Sequence, residues 1–150
     1  MMAFERQQPN AEGAKVSQSA QSDALWIENE LSHTVIGAAV EVQRVLGTGL
    51  LESAYAAALA LELAERGLTF EREWPLHAHY KGQPLGVAYR ADFLVQDRLL
   101  LELKAEEAVT AAHRAQLLSY LRVSGRKLGL LINFHVFPVV KGVARVVNQL

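Results

Sequence analysis

Asp92, Glu102 and Lys104 are the residues whose types and spacing most readily do chemistry in this chain. Glu102 and Lys104 lie two positions apart in the apolar run Leu99-Leu100-Leu101-Glu102-Leu103-Lys104. In a strand both side chains then project to the same face, about 6.6 Å apart along it. Asp92 lies on the preceding strand-like run, across a tight turn. Two carboxylates side by side on neighbouring strands hold a hard divalent cation, and a lysine beside them orients a water or stabilises charge developing on a phosphate. That is the layout of metal-assisted phosphodiester hydrolysis. Glu-x-Lys alone also describes a solvated surface ion pair, worth about 0–1 kcal/mol, so the surrounding sequence has to decide.

Two further groups bear on the decision. Gln116 and Tyr120 are at i and i+4 of a helical segment and share a face, with His113 one turn earlier on that side. Glu52 and Tyr55 follow Gly49 at the start of another helix, three positions apart and therefore neighbours. Each has a plainer reading. Glu52 complements a helix dipole, for about 0.3–1 kcal/mol, and Tyr55 and Tyr120 are half-buried rings with wet hydroxyls. Arg90, on the strand face of Asp92, and Arg114, Arg122, Arg126 and Lys127 are candidates for contacts with backbone phosphates. Trp26 and Trp74 lie in no basic aromatic run and read as packing residues. His33, His77, His79 and His135 have no metal-ligand spacing; Glu106 and Glu107 read as a solvated turn, and Glu41 as a surface residue on the first helix.

The elements that must position these side chains follow from hydrophobic period and punctuation. Residues 1–24 are poor in large apolar side chains, too poor to offset the entropy of ordering, and read as a flexible tail ahead of a single domain at 25–150. A helix is expected from near Leu25 to Leu46, on Leu31, Val35, Ala38, Ala39, Val42 and Leu46, and a second over residues 50–65 between Gly49 and Gly67. Alternation over residues 68–80 and 87–95, around the turn residues Lys81-Gly82-Gln83-Pro84, predicts a hairpin. A third strand covers residues 99–104 and a helix residues 110–123, then strands at 127–133 and 139–147. Helices and strands in this order give an α+β fold with helices packed on a sheet.

Composition bounds the function. The 150 residues are 51% hydrophobic, enough for one sizeable core, and contain no apolar run long enough to span a membrane. With no leader-like start, a cytoplasmic protein is expected. There is no cysteine, so a metal must be held by oxygen or imidazole, and oxygen ligands point to Mg²⁺ or Mn²⁺. The net charge is −1, which withholds the global electrostatic footprint of a nucleic-acid binder and leaves only a local basic patch.

The ordered set Gly49-x-x-Glu52-x-x-Tyr55, Tyr89-Arg90-Ala91-Asp92, Glu102-Leu103-Lys104-Ala105, Gln116-Leu117-Leu118-Ser119-Tyr120 and Leu130-Leu131-Ile132-Asn133-Phe134 resembles the GxxExxY protein family, placed in the PD-(D/E)XK nuclease superfamily. The resemblance covers about residues 31–150. It implies a central mixed sheet flanked by helices, the restriction-endonuclease-like core, with Mg²⁺ or Mn²⁺ as cofactor and DNA as the favoured substrate. It further implies that Asp92 and Glu102 ligate the metal, that Lys104 is the catalytic lysine, and that Glu52 is a helix-borne carboxylate at the site. Gln116 and Tyr120 match the Gln-x-x-x-Tyr element of RecB-like nucleases, beside the metal. Two positions depart from the family: Gln43 stands where histidine is frequent and still has an amide to donate to phosphate, and Thr48 where proline is frequent. The competing reading is a nuclease-fold binding or regulatory module without catalysis. A chain with no separate recognition domain is expected to work with a protein partner or as a homodimer.

Overall fold

The computed structural model describes the backbone of residues 11–149 and the side chains of residues 27–149. Helix α1 (Ala11–Leu46) is followed by α2 (Glu52–Glu65), β1 (Phe70–Tyr80), β2 (Gln83–Val95), β3 (Leu99–Lys104), α3 (Ala111–Ser124), β4 (Leu128–Asn133) and β5 (Val143–Val147). The sheet order is β1-β2-β3-β4-β5, with β3 and β4 parallel and every other pair antiparallel. The parallel pair follows from α3, a crossover long enough to return the chain to the same end of the sheet.

Two apolar layers cover the sheet. Val35, Ala38, Ala39 and Val42 of α1 and Tyr55, Leu59 and Leu63 of α2 pack on Phe93, Val95, Leu99, Leu101, Leu103, Leu130 and Ile132. On the other face, Leu117, Tyr120 and Leu121 of α3 pack on Leu76, Ala91, Leu94, Leu100 and Leu131. β3 thus feeds both cores by simple alternation, and Glu102 and Lys104 follow Leu100 toward the α3 side. The fold is the expected α+β arrangement, and none of its described helices is long and apolar enough to cross a membrane.

Two boundaries differ most from the sequence reading. Helix α1 opens at Ala11, not near Leu25, because the Ala, Glu, Lys and Gln of that stretch are good helix formers even without apolar side chains. The first ten residues of the expected tail lie outside the described residues. The strand expected over 139–147 is shorter: Val139–Gly142 forms a 3₁₀ turn and only Val143–Val147 pairs with β4. β4 ends at Asn133 and so offers no partner beyond Val143, and the Val139 N–H is instead accepted by Gln43 Oε1 at 2.7 Å.

Candidate functional site

The site is built where the β2–β3 ladder opens. Regular pairing runs from Val95–Leu99 to Phe93–Leu101 and stops. At the next positions the two carboxylates take over the backbone donors. Glu102 Oε1 accepts the Asp92 N–H at 3.0 Å, and Asp92 Oδ2 accepts the Leu103 N–H at 2.7 Å. This reciprocal exchange braces the strands through side chains and fixes both carboxyl groups between them. Each also keeps one oxygen outside these two bonds, which is the chemistry a hard cation requires.

Burial makes the pair electrostatically tense. Glu102 is only 8% exposed, so it is no solvated ion pair, and no ion pair joins it to Lys104 among the described residues. Loss of hydration, and then the Asp92 charge, raise its pKa to about 8, against the lowering effects of the Asp92 N–H and of Lys104. Burial also raises Asp92, opposed by the Leu103 N–H and Lys104. Glu52 is raised by burial and then by Asp92, again with Lys104 opposing. Lys104 is therefore the cation that all three carboxylates share through space. Tyr120 is buried on α3, and its hydroxyl is held protonated by burial and by the fields of Glu102, Tyr89 and Asp92. Glu52, Asp92, Glu102, Lys104 and Tyr120 thus belong to one electrostatic neighbourhood.

Local sequence explains how Glu52 gets there. Gly49 has φ +93°, a conformation open to glycine and strained for other residues, and the turn before α2 depends on it. Tyr55 then locks that turn. Its hydroxyl donates to the Gly47 carbonyl at 2.7 Å and accepts the Leu50 N–H at 3.3 Å, while its ring stacks on Phe134 at 4.6 Å. The Gly-x-x-Glu-x-x-Tyr spacing therefore reads as a turn, a carboxylate on the first helical turn, and a pin. Tyr55 is fully buried, which corrects the expectation of a wet hydroxyl.

Other expected residues fall less centrally. Gln116 is half-buried on α3, one turn before Tyr120, and makes no hydrogen bond to the carboxylates among the described residues. Arg90 and Arg114 are exposed. His113, one turn before Gln116, is taken up in a capping box with Thr110, its Nδ1 accepting the Thr110 N–H at 3.2 Å and its Nε2 lying 3.8 Å from Glu106. Gln43 is buried and engaged on backbone, donating to the carbonyls of Phe134 and Val136, so its amide is not offered to a phosphate. Glu41 pairs with Arg44 at the surface, as expected. Among the described residues no group of three His, Asp or Glu side chains is gathered tightly enough to hold an ion, so Glu52 is not drawn into a three-carboxylate cluster with Asp92 and Glu102.

The sequence reading quoted Asn133 only as part of a motif and gave it no role. It pairs in register with Lys104 across β3 and β4, and its side chain accepts from the N–H groups of Glu106 and His135 and donates to the Glu106 carbonyl. With the Phe134 N–H on the Lys104 carbonyl at 2.9 Å, this fixes the backbone from the lysine carbonyl to Glu106. A polar residue ending the otherwise apolar run Leu128–Asn133 was the available signal. A cleft of about 460 Å³ lined by Thr69, Phe70, Glu71, Leu94 and residues 96–98 sits at the β2–β3 turn, away from the carboxylates.

Comparison with known proteins identifies a family. The sequence model of the PD-(D/E)XK nuclease superfamily matches residues 29–146, well over half of the chain and every residue of the constellation. No curated protein and no solved structure matches the chain.

Proposed function

The chain belongs to the PD-(D/E)XK nuclease superfamily, and from that membership we propose that it is a divalent-metal-dependent nuclease hydrolysing phosphodiester bonds of nucleic acid, DNA in preference. The observation that carries the reading is the reciprocal bonding of Asp92 and Glu102, which holds two carboxylates together in a dry place beside a lysine. The spacing of Gly49, Glu52 and Tyr55 favours membership of the GxxExxY proteins within that superfamily.

The donor set fits Mg²⁺ or Mn²⁺. It is all oxygen, it carries negative charge, and the burial and the Asp92 charge that raise Glu102 are what a cation would offset. Asp92 and Glu102 would hold the ion, which when bound supplies Lewis-acid polarisation of a phosphoryl oxygen and a more acidic water. The chain's own groups do the rest. Lys104, whose backbone carbonyl is bonded by the Phe134 N–H, stabilises negative charge as it develops on phosphate oxygens and orients the attacking water. Glu52 adds a second-rank negative charge that favours cation over proton. The protonated Tyr120 hydroxyl and Gln116 position the substrate from α3, with Arg90 and Arg114 on its backbone phosphates.

The second reading, a nuclease-fold module that binds without cutting, is favoured by one observation: among the described residues no third protein ligand is gathered at the pair. One experiment separates them. Wild type, Lys104→Ala and Glu102→Gln are offered single- and double-stranded DNA and RNA with Mg²⁺ or Mn²⁺. Wild type is expected to cut, and Lys104→Ala to lose about 10²–10³ in rate, as for loss of one preorganised charge donor, with fold and metal affinity intact. Silence of a folded, metal-bound wild type on every substrate would select the binding module.

A further inference from the structure

The hairpin of β1 and β2 is far longer than the sheet that carries it. β3 covers β2 only at residues 93–95, so from Gln83 to Ala91 the sole strand partner of β2 is β1. The last buried side chain of β1 is Leu76, and every residue from 79 to 90 is exposed. The ribbon therefore projects roughly 17 Å beyond the core, at about 3.4 Å per residue. Its base is tied to the site: Tyr89 packs on Tyr120 with ring centres 4.8 Å apart, and Arg90 is two residues from Asp92.

Charge singles out this arm. The chain as a whole is slightly acidic, yet residues 74–91 contain no Asp or Glu while carrying Lys81, Arg90, His77 and His79. Acidic side chains are likewise absent after Glu107, and α3, whose Tyr120 meets the arm, exposes Arg114 and Arg122. The arm also shows apolar side chains to solvent, with Leu85 at 64% and Tyr80 at 61% exposure. A solvated face with no partner would mix both signs and hide such side chains.

We propose that this hairpin is a docking arm for double-stranded DNA, entering the major groove of the duplex that the neighbouring carboxylate site acts on. The ligand class rests on the nuclease reading; the arm itself rests on shape and charge. A two-stranded ribbon fits the major groove of B-form DNA, whereas that of A-form RNA is too narrow to admit it. Lys81 at the tip and Arg90 at the base are placed to neutralise phosphates flanking the groove, and Tyr80, Leu85 and Val87 to contact base edges and thymine methyls.

The test uses the full chain in EDTA and three fluorescein-labelled probes: a 20-base-pair DNA duplex, one of its strands, and the matching RNA duplex. Wild type should bind the DNA duplex tightest. Lys81→Asn with Arg90→Gln should weaken it about tenfold and lower the salt slope by about 2, one per lost phosphate contact. Asn suits the left-handed conformation of residue 81 (φ 48°). Leu85→Glu, which puts an acid on the exposed tip, should weaken binding similarly. Both variants should melt with wild type. Equal binding of the single strand or RNA duplex, unchanged affinity in both variants, or no binding by wild type would overturn the arm. Cleavage in Mg²⁺ is scored separately. A wild type that binds through the arm and never cuts upholds the arm and removes the nuclease, while cutting with an unaltered KM in the variants does the reverse.

Discussion

Replacing Glu102 by Gln removes an ionisation and little else. The amide keeps an oxygen for the Asp92 N–H and has nearly the same volume. In the folded chain Glu102 titrates at about 8, against 4.5 for an unperturbed carboxyl. A carboxyl raised on folding holds a proton that the unfolded chain has released. Its stability is therefore full below about pH 4.5, falls as pH rises through the window to about 8, and is level beyond. At about 1.4 kcal/mol per pH unit the window integrates to about 5 kcal/mol, an upper figure because Asp92 shares the proton. Glutamine has no such term. Urea unfolding of both proteins in metal-free buffer should agree within about 1 kcal/mol at pH 5 and diverge by about 3–5 kcal/mol at pH 8–9, Glu102→Gln being the more stable. Mg²⁺ at a hundredfold excess over its Kd should then stabilise wild type alone, by about 2.7 kcal/mol. A gap that does not change with pH, or a variant less stable than wild type at pH 9, would refute the account of Glu102 as a strained buried acid.

Three further outcomes follow from the packing. Gln43→Leu should cost about 2–4 kcal/mol in urea unfolding, since it strips partners from the Phe134 and Val136 carbonyls and the Val139 N–H, while metal titrations stay unchanged. Tyr55→Phe should cost about 1–2 kcal/mol by releasing the Gly47–Leu50 turn, and should lower cleavage beyond that loss because Glu52 follows the turn. A chain beginning at Ser22 should keep its melting temperature and its activity, because every described core side chain lies at Leu31 or later; a fall of many degrees would show that the segment before Ser22 packs on the domain.

How far the sequence reached depends on the range of the interaction concerned. Period-2 alternation in residues 99–104 is local, and it placed Glu102 and Lys104 on one face without any knowledge of the partner strands. The start of α3 was legible for the same reason, since Thr110 caps within its own first turn. Gln43 was not legible: its three backbone partners lie more than ninety positions away, and no periodicity encodes them. One of these bonds takes the N–H of Val139, at the start of the expected last strand. Asn133 shows an intermediate case, a polar residue in an apolar run that marks a demand for hydrogen bonding without naming the partner.

Burial at Asp92 and Glu102 is the feature that separates a surface ion pair from a site. Sequence spacing put a carboxylate next to a lysine, and such pairs are common and energetically slight when wet. The fold instead gives the Glu102 carboxyl a backbone donor, a second carboxyl and almost no water, while the lysine stays in field range without neutralising it. That arrangement lowers the stability of the metal-free chain at neutral pH, as the Glu102→Gln prediction measures. Local stability would be better served by an apolar residue at position 102, continuing the run of leucines on either side. Strain of this kind is expected where a protein is shaped for a ligand and not for its own folding. A cation between the two carboxyls would convert the same repulsion into affinity.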